Sequence, residues 1–161
     1  MELNVKGLRV RIDAYAQLMR DSLQQTSQVD KAIDELLLAK AWLGKALGSI
    51  GVDSPYRNDG KRQDKADIEP TADTTNVLIM NDLYTESDFE NKNPVQRVDF
   101  LREAIKDTVK SAILTLNYGN FPTVIGSHTI DNVITHLSEA RFWLGFELER
   151  QRIELNPKQS N

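Results

Sequence analysis

Apolar residues recur at three- and four-residue intervals in four long stretches of the chain, with charged or polar side chains between them. That spacing puts the apolar positions on one face of a helix. In the first stretch Leu8, Ile12, Tyr15, Leu18, Met19 and Leu23 predict an amphipathic helix over residues 3–23. In the second, Ile33, Leu36, Leu37, Ala39, Trp42, Leu43 and Leu47 predict a helix over residues 29–48. Thr26 or Ser27 is placed to cap it by accepting a free backbone N–H, Asp30 sits in its first turn, and Gly48 with Gly51 supplies a stop. Asn93-Pro94 opens a third helix over residues 94–116, carried by Val98, Leu101, Ile105, Val109, Ala112, Ile113 and Leu116. The run Asn117-Tyr118-Gly119-Asn120-Phe121-Pro122 breaks it, and residues 123–128 (TVIGSH) read as a short loop or extended piece. A fourth helix, capped by Ser127 or Thr129, is expected over residues 129–154.

The second and fourth stretches are two versions of one text. AKAWLGKAL, at residues 39–47, returns as ARFWLGFEL, at residues 140–148, and the match extends upstream in the same register. Asp30, Ile33 and Leu36 answer to Asp131, Ile134 and Leu137, all 101 residues apart. The expected fold is therefore mainly α, with two antiparallel helical hairpins related by internal duplication and forming a four-helix bundle-like unit. Residues 1–50 would be the first hairpin, 51–93 a connector or binding loop, 94–154 the second hairpin and 155–161 a flexible tail, all within one domain. Gly44 and Gly145 stand inside helices despite a cost of about 1 kcal/mol relative to alanine. Their matched positions beside Trp42 and Trp143 point to close approach of another helix or of a ligand.

The connector has a different texture. Turn formers, two prolines and mixed charge run through residues 54–75, too aperiodic for a helix or a central strand. Residues 76–80 (NVLIM) are apolar enough for one strand or for an anchor onto the core. Such a segment is either a solvated linker or a binding loop or lid.

Charge narrows the partners. With 161 residues, 40% hydrophobic and a formal net charge of −4, the chain suits one core, and it lacks the surplus of cations that non-specific DNA binding needs. Without cysteine there is no disulfide or thiolate metal site. No apolar stretch approaches a signal peptide core or a membrane span, so a cytoplasmic protein without a membrane partner is expected.

Catalytic chemistry has little to stand on. His128 and His136 are the only histidines, neither lies in a nucleophile motif, and neither a Walker loop nor a GxGxxG stretch occurs. His136 and Glu139 share a helical face and form half of a metal-binding pattern whose other half is absent from the sequence. No catalytic residue, cofactor or metal is therefore expected. Binding chemistry is better represented: Tyr56 and Arg57, then Lys61 and Arg62, with Lys65 beyond, form a basic loop with one aromatic ring. Arginine forks onto phosphate and tyrosine stacks on a base, as a small nucleotide requires. The same residues also read as ordinary solvated charge, balanced by Asp59, Asp64 and Asp67. Lys40 and Arg141 occupy matched positions, each either a snorkelling surface stem or a cation at a seam. Trp42 and Trp143 suit core or interface packing as well as a ligand platform.

The two A-[KR]-x-W-L-G-x-x-L helices, with the loop reading SPY and then IEPTAD at residues 68–73, resemble phage proteins carrying the hairpin domain shared by anti-CBASS and Thoeris anti-defence sponges. The likeness covers about a third of the chain. It implies a small oligomeric helical protein that sequesters a nucleotide immune second messenger, a cyclic oligonucleotide or a cyclic ADP-ribose-type signal, without cleaving it. It also implies action in the host-cell cytoplasm. The duplication within one chain departs from single-hairpin members, so one chain here can do the work of two. On that implication the ligand-binding candidates are Tyr56, Arg57, Lys61, Arg62, Arg141 and Trp143, the last two lining a seam between hairpins. The alternative is a structural or adaptor protein of a phage or mobile element, its apolar stripes made for self-assembly as a homo-oligomer.

Overall fold

Four long helices form where the apolar spacing places them, and a short one joins the last two. The computed structural model describes residues 2–51 and 89–155. Its helices are α1 (Glu2–Ser22), α2 (Ser27–Ser49), α3 (Pro94–Leu116), α4 (Phe121–Ile125) and α5 (Ser127–Leu155). The described residues contain no strand. Residues 52–88, with the apolar run at 76–80, and the tail from residue 156 lie outside the described residues.

Local chemistry explains the ends. Thr26 caps α2 by accepting from the Val29 N–H at 3.3 Å. Asn93 and Gln96 form a reciprocal capping box at the start of α3, at 2.8 and 3.1 Å, with Pro94 in the first turn where its missing N–H has no consequence. Gly51, at φ 88°, takes the chain out of α2 in a conformation that a side chain would strain.

Residues 123–128 depart from the expected loop or extended piece. Residues 123–125 belong to α4, held by bonds from the Val124 N–H to the Asn120 carbonyl and from the Gly126 N–H to the Pro122 carbonyl. Phe121 and Ile125 are buried and anchor this turn of helix, so tertiary packing overrides the breaker-rich local sequence. Gly126, at φ 90°, then turns the chain directly into α5, which begins at Ser127.

The centre of the molecule is the α2–α5 pair, which shares the broadest contact surface. Contacts run in opposite directions along the two helices: Thr26 meets Glu147, Lys31 meets Trp143, Glu35 meets His136, and Trp42 meets His128. The pair is therefore antiparallel. α1 packs on α2 and α3 on α5, and Arg97 at the start of α3 donates to the Ser22 carbonyl at the end of α1. Leu36, Leu43 and Leu47 of α2, Leu137 and Leu144 of α5, and Ile12, Met19, Leu101 and Ile105 of the flanking helices are all buried in one cluster. Truncating any such leucine to alanine typically costs about 2–5 kcal/mol.

Candidate functional site

On the outer side of α5, against α3, an open groove of ≈270 Å³ is lined by Arg102, Ser138, Arg141, Phe142, Gly145, Phe146 and Glu149. Helical spacing builds it. Ser138, Arg141, Phe142 and Gly145 advance by three and four along α5, and Arg102 reaches across from α3. A Cβ added at Gly145 would stand 3.6 Å from both Nε and Nη2 of Arg102. The absent side chain leaves the guanidinium lying against the helix surface. What approaches this glycine is thus an arginine head rather than a helix backbone.

The two cations are not neutralised in the ordinary way. Arg102 makes no ion pair among the described residues, and its Nε has no hydrogen-bond partner there. Arg141 is only loosely approached, with Nη2 3.9 Å from a Glu103 carboxylate oxygen, and its Nε is likewise without a partner among the described residues. Phe142 and Phe146 stand beside them with 62% and 42% of their surface exposed and rings 4.7 Å apart, edge to face. Among the described residues Glu149 is the one carboxylate on the groove wall. Forked donors beside exposed ring faces can hold an anionic group attached to a planar ring.

Of the six expected binding residues, Tyr56, Arg57, Lys61 and Arg62 lie outside the described residues. Arg141 lines the groove. Trp143 does not: it is half-buried at the α2–α5 contact with the Lys31 ammonium 4.3 Å above its ring, so it sits between the halves of the chain while Arg141 faces α3. Its counterpart Trp42 meets the His128 ring edge-on at 5.4 Å, with Lys45 4.8 Å above it. Lys40 is a buried-side ion-pair partner, 2.7 Å from Asp13.

Sequence reading missed Arg102, Phe142 and Phe146, although a signal for Arg102 exists. Val5, Leu8, Arg9 and Ile12 of α1 reappear as Val98, Leu101, Arg102 and Ile105 of α3, 93 residues on. The 101-residue spacing of the other helices hides this second register. The eight-residue difference falls between α3 and α5, where α4 lengthens the connection.

Two further polar clusters cross between helices. At one end of the α2–α5 contact, the fully buried Glu147 accepts from the Thr26 hydroxyl at 3.0 Å and from Arg150 Nε at 2.7 Å. That hydrogen bond is the main reason the Arg150 pKa is raised. At the middle, His136 Nδ1 lies 2.6 Å from Glu35 Oε2, and Glu139 stands close by. The Glu139 carboxyl titrates above its ordinary value, first through its hydrogen bond with Glu35, then through burial and the Glu35 charge, with His136 acting in the opposite sense. No described helix is long and apolar enough to cross a membrane. Comparison with protein-family models, with curated proteins and with solved structures found no match.

Proposed function

We propose that the chain is a binding protein that sequesters a nucleotide immune second messenger without cleaving it, and that the Arg102–Arg141 groove is part of its ligand site. The observation that carries this reading is a guanidinium without an ion pair among the described residues, Arg102, set beside a second loosely held one and two exposed phenyl rings. Phosphate oxygens would take the arginine donors and a base would lie against Phe142 or Phe146. Tyr56, Arg57, Lys61 and Arg62 would add donors and a stacking ring from the connector. A cyclic oligonucleotide or a cyclic ADP-ribose-type signal has both parts that this chemistry recognises. The resemblance of the two W-L-G helices to anti-CBASS and Thoeris anti-defence sponges supports the same class.

In this reading α1–α2 and α3–α5 are two copies of one hairpin closed into a four-helix bundle-like unit. Both repeated registers support it, as does the meeting of Glu35 with His136, residues that occupy the same position in the two copies. The groove volume lies just under the roughly 300–1,000 Å³ of sites that bury a whole small molecule. One chain would then cover part of the ligand and a second copy the rest, as in a homo-oligomer.

Calorimetric titration with cyclic dinucleotides, cyclic trinucleotides and cyclic ADP-ribose isomers tests the assignment. Binding of one of them by the native protein and at least about tenfold weaker binding by Arg102→Ala is the expected result. Equal affinity of native protein and variant would remove the groove from the account. The assembly reading has its own support in Phe142, Phe146 and Ile153, which leave an exposed apolar stripe along α5. It predicts a concentration-dependent oligomer that binds none of these ligands.

A further inference from the structure

Glu35, His136 and Glu139 come from the facing sides of α2 and α5, near the middle of their crossing. The sequence supplies only the His136–Glu139 half of this arrangement, three residues apart on one face. Folding supplies the third group. One ligand atom from each side chain lies within 4.8 Å of the other two, and the His136 Nδ1 to Glu35 Oε2 separation is 2.6 Å. Ligand atoms held about 2.1 Å from one ion stand roughly 3.0–3.4 Å apart. Closing the trio onto an ion therefore needs side-chain adjustment and no movement of the helices.

Charge points the same way. Two carboxylates converge on one imidazole, which can offset at most one of their charges; the Glu35 and His136 side chains are only 18% and 19% exposed, and Glu139 closes the trio from the solvent side. A divalent cation balances both carboxylates while the imidazole stays neutral and gives its lone pair to the ion. We propose that Glu35, His136 and Glu139 hold a divalent transition-metal ion of the Zn²⁺ or Mn²⁺ kind. One nitrogen and two carboxylate oxygens suit such ions, with the remaining positions open to water. Leu38 stands where duplication would place the twin of Glu139, so the pattern yields one such trio. Bound there, the ion pins α2 to α5, and with them the two halves of the chain. The inference does not depend on the nucleotide reading, because none of the three residues lines the Arg102–Arg141 groove.

The test uses the full chain, stripped of metal with a chelator and titrated with ZnCl₂, MnCl₂ or CoCl₂ alone. The expected result is one equivalent bound, a Tm raised by at least about 5 °C when free metal is about a hundred times Kd, and a visible absorption spectrum with Co²⁺. His136→Gln and Glu139→Gln should each weaken binding at least about tenfold while the far-ultraviolet dichroism stays helical. Glu139→Gln alters an exposed residue and keeps the comparison interpretable if His136→Gln is poorly folded. A Tm indifferent to all three metals, or metal affinity unchanged in both variants, would overturn the assignment and leave an ordinary imidazole–carboxylate pair.

Discussion

The two halves of the chain place a cation at the same position and treat it differently. Lys40 of α2 is locked onto Asp13 at 2.7 Å, with 14% of its side chain and 8% of the aspartate's exposed. Arg141 of α5 is 35% exposed and 3.9 Å from a carboxylate that is itself half in solvent. The flanking arginines differ in the same sense: Arg9 is buried, while Arg102 lines an open groove without an ion pair among the described residues. Where the first half has Ala41 and Lys45 beside its cation, the second has Phe142 and Phe146. At these matched positions the first half uses its cation for internal cohesion, and the second leaves donors and rings turned outward.

The sharpest way to break this contrast is to exchange the fates of the two cations. Lys40→Ala leaves Asp13 buried without its partner and should destabilise the fold by about 3 kcal/mol, read as a shift in the urea midpoint at unchanged slope. Ligand affinity, measured well below the unfolding transition, should not change. Glu147→Ala removes the acceptor of Arg150 Nε and of the Thr26 hydroxyl, while Arg150 keeps Glu154 and Gln24, and should cost less, about 1–2 kcal/mol, by the same measurement.

Next in size are the groove arginines. Arg102→Ala should weaken ligand binding by roughly 10–100-fold in calorimetry. Stability should move little, because no ion pair is lost among the described residues. Gly145→Ala is a finer probe: the added methyl meets the Arg102 guanidinium at an ordinary contact distance of 3.6 Å, so the helix should gain up to about 1 kcal/mol in thermal denaturation. Smallest is Arg141→Met, expected to change stability by less than about 0.5 kcal/mol in the same experiment.

Much of this architecture was legible beforehand. The four apolar stripes placed α1, α2, α3 and α5 to within two residues of their observed ends, because each stripe is long and periodic, and α2 and α3 also start at a side-chain cap. α4 was not legible. Gly119 and Asn120 just before it and Pro122 within it signal a break, and what makes it helical is the burial of Phe121 and Ile125. Two of the seven groove residues could be anticipated from the repeat: Arg141 stood out by its match to Lys40, and Gly145 by its cost inside a helix. Arg102 was hidden by the change of register that α4 introduces, and Phe142 and Phe146 look like any aromatics at helical spacing until their exposure is known. Glu35 joins His136 and Glu139 only through the antiparallel crossing of α2 and α5, which no local pattern encodes.

Sequestration by the outward-facing half is tested by what the protein removes from solution and gives back. The purified chain is mixed with cyclic di- and trinucleotides and cyclic ADP-ribose isomers, filtered, then heated, and the filtrate before and after heating is analysed. One signal should disappear on mixing and return chemically intact on denaturation, and Arg102→Ala should leave it in the first filtrate. Undiminished signals with folded native protein, or recovery of a cleaved product, would contradict it.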